Sequence, residues 1–131
     1  MYIRFVTGQT DPDAGLQRGI FQCALEIWYG DGPVESWIKD EIRRSLDWFN
    51  DHLDRPKRLS PRRRRSRSRS GVCWFTPDAN RHLAKAHYLA WLVSEGGTPV
   101  QRLRSIDPGE IIWRDAYQIV AVQNRTGPIY L

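Results

Sequence analysis

Five short stretches of the chain are either alternately polar and apolar or almost wholly apolar, and both patterns are typical of β-strands. The predicted strands cover residues 2–7, 72–75, 99–106, 111–114 and 117–123. The run at 72–75, Val-Cys-Trp-Phe, indicates a central strand buried on both faces. Asp-Pro-Gly at 107–109 predicts a tight turn, and Asp-Ala at 115–116 predicts a hairpin.

Three other stretches carry apolar residues at every third or fourth position, which is the period of an α-helix. The predicted helices cover residues 12–29, 33–53 and 77–95. Asp11-Pro12 resembles an N-cap followed by proline at the first helical position, where the missing N–H costs nothing. Gly96-Gly97 predicts the end of the third helix. The short glycine-rich connection between the first two helices predicts an antiparallel pair.

The resulting element order is β-α-α-β-α-β-β-β, which indicates an α+β fold. The strand–helix–strand unit at 72–106 favours two strands that are parallel, or at least in the same sheet. The meander at 99–123 favours antiparallel neighbours. We therefore expect a two-layer sandwich with three helices and one mixed sheet of about five strands, in a single domain spanning residues 1–131.

Charge is distributed very unevenly along the chain. Nine of the 20 basic residues lie between positions 55 and 69, where there is no acidic residue. The rest of the chain has 11 basic and 15 acidic residues, a net charge of −4. Residues 54–70 hold one aliphatic side chain, Leu59, among prolines, serines and arginines. This composition predicts a flexible surface loop set into the domain.

A dense run of arginine can neutralise phosphates and pair with their oxygens through the planar guanidinium group. The loop therefore predicts binding to an anionic macromolecule, with nucleic acid as the favoured partner. The alternative is a solvated insertion that the fold tolerates, because long surface loops cost little stability. The predicted anion-binding residues are Arg58, Arg62, Arg63, Arg64, Arg65, Arg67 and Arg69.

A second candidate site lies on the predicted sheet, where arginines alternate along one strand and aromatic residues crowd a hairpin. Such a polar patch would suit a nucleotide or an acidic peptide. The alternative is an ordinary solvated sheet face with cross-strand pairs. The residues of this predicted patch are Arg4, Arg102, Arg104, Trp113, Tyr117 and Gln118.

Other chemistry is not indicated. Cys23 and Cys73 have the surroundings of small buried hydrophobic residues, and reduced thiols are expected. The three histidines lack metal-site spacing, and we expect them at the surface or at helix ends. No nucleophile motif, phosphate loop or cofactor signature is present, which disfavours an enzyme and predicts no cofactor and no metal. No signal-like start or membrane-length apolar run is found, so the cytoplasm is the expected compartment.

The chain resembles small bacterial proteins to which no activity has been assigned. The similarity lies mainly in the C-terminal half, together with Ile3-Arg4-Phe5-Val6 near the start. It covers most of the chain outside the arginine loop and implies a bacterial origin and a compact α+β fold. The segments that carry it there are Val72-Cys73-Trp74-Phe75, Pro99-Val100, Leu103-Arg104, Pro108-Gly109 with Ile111, and Asp115 with Gln118-Ile119-Val120-Ala121.

These observations predict a small binding protein without enzymatic activity that engages nucleic acid through the arginine loop. The alternative function is a protein–protein interaction or assembly module that uses exposed tryptophans and the sheet face. Trp37, Trp48 and Trp91 lie toward the flanks of their predicted helices, away from the apolar stripes. Exposed aromatic residues often mark interfaces, so a homodimer is also predicted.

Overall fold

The structure, a computed structural model, describes residues 1–11, 16–57 and 71–122. These residues form three helices and one sheet of six strands, which confirms the α+β class. The elements are β1 (Tyr2–Asp11), β2 (Leu16–Gly19), α1 (Ile20–Tyr29), α2 (Ser36–His52), β3 (Val72–Phe75), α3 (Asn80–Glu95), β4 (Val100–Ser105), β5 (Glu110–Arg114) and β6 (Gln118–Val122).

The sheet has six strands where about five were predicted, and its strand pairing is not the one expected. The order is β2-β1-β3-β6-β5, and β4 also pairs with β1. Pairing is antiparallel between β1 and β2, between β1 and β3, and between β6 and both β3 and β5. The expected parallel neighbours β3 and β4 do share the sheet, but β4 takes β1 as its partner. The order of elements along the chain does not determine which strand of the sheet β4 pairs with.

The prediction of a helix from residue 12 was wrong over residues 16–19, which form β2. Val6 pairs with Gly19, and Asp11 pairs with Leu16. Leu16 lies four residues before Ile20, which is the spacing of one helical turn. This spacing made Leu16 look like part of the apolar stripe of the predicted helix, although it belongs to a strand. Pairing with β1 satisfies backbone groups of residues 16–19, and this overrides the weak local preference for helix. The helix begins only after Gly19, so Asp11 is part of β1 and is not an N-cap.

The described residues fall into two compact units, and the first contains residues 1–4 together with the described parts of 55–80 and 102–131. Its centre is β6, where Ile119, Val120 and Ala121 are buried. β3 lies along β6 with Cys73 opposite Val120. The Cys73 side chain is exposed, so the prediction that both faces of β3 are buried was wrong at this residue.

The Asp115 carboxylate stabilises the turn of the predicted hairpin between β5 and β6. Asp115 Oδ1 accepts hydrogen bonds from the backbone N–H groups of Tyr117 (2.8 Å) and Gln118 (3.0 Å). The Asp115 N–H donates to the Gln118 carbonyl at 3.0 Å. The tight turn at 107–109 is also confirmed, with Gly109 at φ +118° and its N–H donating to Asp107 Oδ1 at 3.2 Å.

The second unit contains residues 81–101 and the described part of 5–54. Within it, α1 and α2 form the predicted antiparallel pair, because Phe21 contacts Phe49 at 4.9 Å while Arg43 lies 5.8 Å from the Trp28 ring. The Lys39 ammonium donates to the carbonyl of Gly30 at 2.7 Å, at the C-terminus of α1 where a cation is favourable. α2 begins at Ser36, later than the predicted residue 33.

α3 begins at Asn80, three residues later than predicted, and it ends in a Schellman motif. The Gly97 N–H donates to the Ser94 carbonyl at 3.0 Å, and the Thr98 N–H donates to the Val93 carbonyl at 3.2 Å. Gly97 has φ +103°, a conformation that suits glycine. The predicted stop at 96–97 is therefore confirmed.

Three parts of the sequence lie outside the described residues, namely 12–15, 58–70 and 123–131. They contain most of the predicted loop at 54–70. None of the three described helices is long and apolar enough to cross a lipid bilayer.

Candidate binding surface on helices α2 and α3

Helices α2 and α3 lie side by side in opposite directions, as three contacts at successive levels show. Trp48 packs its ring against His82 at 5.1 Å, near the end of α2 and the start of α3. The Tyr88 hydroxyl donates to Glu41 Oε2 at 2.8 Å in the middle. Trp37 contacts Trp91 at 6.1 Å, near the opposite ends.

The outward stripe of α3 changes its chemistry along the helix. Its residues are separated by three or four positions and therefore share one face. The stripe begins with two cations, continues with two aromatic residues and ends with a carboxylate, and all five side chains are exposed. In order, they are Arg81, Lys85, Tyr88, Trp91 and Glu95.

A surface hollow of about 340 Å³ opens at the cationic end of this stripe. Trp48 forms one wall, with the Lys85 ammonium 5.5 Å and the Arg81 guanidinium 5.8 Å from its ring centre. Another wall is Tyr88, and the small side chain of Ala84 leaves the floor open. Because cations and an aromatic ring meet here, the hollow suits a flat aromatic group.

The aromatic end of the surface is the more exposed. Trp37 and Trp91 retain 45% and 48% of their accessible surface, and Tyr88 retains 39%. Tyr88 stacks on Trp91 with ring centres 5.9 Å apart. The Trp37 indole N–H donates to Glu35 Oε2 at 2.7 Å. We define the α2–α3 surface as the half-buried Trp48 together with five exposed side chains, Trp37, Arg81, Lys85, Tyr88 and Trp91.

Glu41 accepts a hydrogen bond from Tyr88, the one tyrosine of the α2–α3 surface. Its hydrogen bond with the Tyr88 hydroxyl favours the neutral phenol, and this raises the pKa of Tyr88 above its ordinary value. Tyr88 is therefore an uncharged phenol at neutral pH, and it offers an aromatic face rather than a charge.

His82 was predicted at the surface or at a helix end; it lies in the first turn of α3, but it is only 6% exposed. Its Nε2–H donates to the carbonyl of His52 at 2.7 Å, where α2 ends. His52 stacks on Trp48 at 4.3 Å, and its Nδ1–H donates to the Trp48 carbonyl at 2.8 Å. Both histidines thus pack against the Trp48 ring. The apolar period of α3 did not identify His82 because a histidine has no place in that pattern.

The residues of the predicted sheet patch lie in the first unit, but not on one open face. Ile3 pairs with Phe75, which pairs with Gln118, so these three side chains share a face. Arg4 follows Ile3 and points to the other face. Burial lowers the pKa of the Arg4 guanidinium.

Gln118 is buried, and its amide donates to Asp115 Oδ2 at 3.3 Å within the hairpin turn. Tyr117 is exposed beside it. Trp113 is half-buried opposite Val120, while Arg102 is exposed and Arg104 half-buried on β4. Of the six residues, only Arg102 and Tyr117 are exposed enough for a large ligand to reach directly.

The predicted anion-binding residues Arg58, Arg62, Arg63, Arg64, Arg65, Arg67 and Arg69 lie outside the described residues. Within the described ranges, no group of three or more His, Cys, Asp or Glu side chains is arranged to hold a metal ion. Cys23 is buried, and desolvation raises the pKa of its thiol.

Comparison of the chain with protein-family models, with curated proteins and with solved structures finds no match.

Sequence reasoning identified Trp37, Trp48 and Trp91 as off-stripe tryptophans but missed Arg81, Lys85 and Tyr88 beside them. The signal was present in the spacing of α3, because the residues between its apolar positions recur every three or four places. What the sequence could not show is that the outward faces of α2 and α3 join into one surface.

Proposed function

We propose that this protein binds nucleic acid without sequence preference, through the arginine-rich segment at residues 55–69. The distribution of charge along the chain supports this proposal. The segment holds nine basic residues and no acidic one, while the rest of the chain has a net charge of −4. A charge so strongly concentrated in one short stretch suits a polyanion better than it suits a small ligand.

Polyphosphate chemistry explains why arginine would be used here. Each phosphate neutralised by a side chain releases condensed counterions, which supplies affinity that is independent of base sequence and sensitive to salt. The guanidinium group also pairs with phosphate oxygens in a fork and stacks on bases. Because the remainder of the chain is net acidic, it would repel phosphate and confine contact to the segment.

The test is binding of a fluorescent oligonucleotide, followed by anisotropy in single-stranded and duplex form. With about six phosphates contacted, affinity should fall roughly a thousandfold between about 50 and 200 mM salt. Replacement of Arg62, Arg63, Arg64, Arg65, Arg67 and Arg69 by serine should abolish binding. The matched control replaces the same six residues by lysine, which keeps the charge and should retain salt-sensitive binding.

Absence of binding by the unmodified protein at low salt and micromolar concentration would refute the proposal. So would binding that survives the serine replacements.

The α2–α3 surface favours a second candidate function, a protein-assembly module. Trp37, Tyr88 and Trp91 form a connected group of exposed aromatic rings, and such rings dominate the energetics of protein interfaces. A protein partner held by these rings would bind equally well after the six serine replacements. Its affinity would also respond only weakly to salt, which distinguishes it from nucleic acid.

A further inference from the structure

We infer that the α2–α3 surface binds a second copy of the same chain, with the two α3 helices antiparallel about a two-fold axis at Tyr88. This inference is independent of nucleic-acid binding, because it uses no residue of the arginine-rich segment. The order of charges along α3 favours a second copy as the partner of the exposed aromatic rings.

When the two-fold axis is perpendicular to a helix, each residue at one end of that helix meets a residue from the other end of the same helix in the second copy. The α3 stripe is symmetric in position about residue 88. Lys85 and Trp91 lie three residues on either side of it, and Arg81 and Glu95 lie seven residues on either side. An antiparallel partner would therefore place Lys85 against Trp91 and Arg81 against Glu95.

Both of these pairings are chemically favourable. A lysine ammonium is attracted to the face of a tryptophan ring, and an arginine pairs with a glutamate. With the helix reversed into a parallel arrangement, like would meet like. Arg81 would then face Arg81, and Glu95 would face Glu95. The charge order thus selects the antiparallel arrangement and disfavours the parallel one.

The hollow beside Trp48 supplies the shape that such a dimer needs. It opens around Ala84 and Lys85, which is the level that Trp91 of the second copy would reach. A tryptophan entering a pocket lined by an aromatic ring and cations is typical of the residues that dominate interface energy. The interface contains two such insertions, because symmetry repeats each contact.

Sedimentation velocity over a range of concentrations tests the inference. The 15.3 kDa chain should sediment as a dimer at high micromolar concentration. Trp91→Ala should weaken the dimer about a hundredfold, because symmetry removes two anchoring rings at once. The matched control is Tyr29→Ala, which removes an exposed aromatic residue at the end of α1 and should leave the dimer unchanged.

Charge reversal tests the geometry itself. Arg81→Glu alone and Glu95→Arg alone should each weaken the dimer by about threefold to tenfold. The double variant should restore it, because each reversed charge again meets its opposite in the second copy. Circular dichroism should show that every variant keeps its helices. Arg114→Glu on β5 serves as the control for charge reversal at an exposed site elsewhere.

A monomer at every concentration would overturn the inference, and so would a dimer indifferent to Trp91→Ala. Failure of the double variant to recover would overturn the antiparallel arrangement. If Trp91→Ala instead reduced oligonucleotide binding by a monomeric protein, the surface would belong to the nucleic-acid site and the dimer would be refuted. Nucleic-acid binding itself would stand or fall separately, on the serine variant of the arginine segment.

Discussion

The imidazole Nε2 of His82 lies 2.7 Å from the carbonyl oxygen of His52. A side chain in the first turn of α3 therefore caps the C-terminus of α2. The carbonyl can only accept, and this fixes the proton on Nε2. The C-terminal carbonyls of a helix lack intrahelical partners, so this bond satisfies one that would otherwise be left open.

We expect His82→Ala to destabilise the protein by about 2–3 kcal/mol, because it removes buried contacts with Trp48 and leaves the His52 carbonyl without this donor. Urea unfolding measures the free energy of unfolding. The control is His87→Ala on the same helix, where the side chain is exposed and a smaller loss is expected. Equal effects for the two variants would contradict the structural role of His82.

Gly97→Ala should lower the free energy of unfolding by about 1–2 kcal/mol, because φ of +103° is strained for a residue with a Cβ atom. Beyond the adjacent residues, no atom lies within 4 Å of the position such a Cβ would take, so the cost comes from the backbone conformation and not from a clash with packed neighbours. Gly32→Ala is the control, since that position is also open and its backbone needs no positive φ. Thermal unfolding of the two variants should separate them clearly.

Alkylation of Cys73 should be slow at neutral pH even though the side chain is exposed. Desolvation raises the pKa of the thiol, and the nearby Arg4 charge partly opposes that rise. Because the thiolate is the reactive form, a higher pKa means slower reaction with iodoacetamide. We expect Arg4→Gln to slow alkylation further, whereas Arg4→Lys keeps the charge and should leave the rate nearly unchanged. Mass spectrometry of timed samples measures it, and faster reaction of Arg4→Gln would contradict the prediction.

The elements with strong local signals were predicted well. The apolar stripe of α2, the hairpin turn at Asp115 and the glycine stop at Gly97 all depend on residues close together in sequence. The start of α1 was not predicted, because β2 is a strand only through its pairing with β1. A strand of only four residues is too short to show a clear alternation of polar and apolar residues. The helical spacing of Leu16 and Ile20 therefore decided the prediction.

The candidate sites also differ in how far the sequence alone could reveal them. The excess of arginine at 55–69 is a property of composition and needs no fold to be seen. The α2–α3 surface depends instead on two helix faces that lie next to each other only after folding. Trp37 and Trp91 are 54 positions apart in sequence, yet their rings lie 6.1 Å apart. No spacing rule within one helix could have joined them.

The strand β1 has a consequence for the order in which the chain folds during synthesis. Its first residues pair with β3 and its later residues with β2, so one continuous strand contributes to both compact units. The hairpin of β1 with β2 requires only the first 19 residues. β3, by contrast, gains its antiparallel partner β6 only after residue 122 has left the ribosome. The helical unit can therefore begin to form early in translation. Until β6 has been made, β3 keeps one edge unpaired, and that open edge can pair with a strand of another chain.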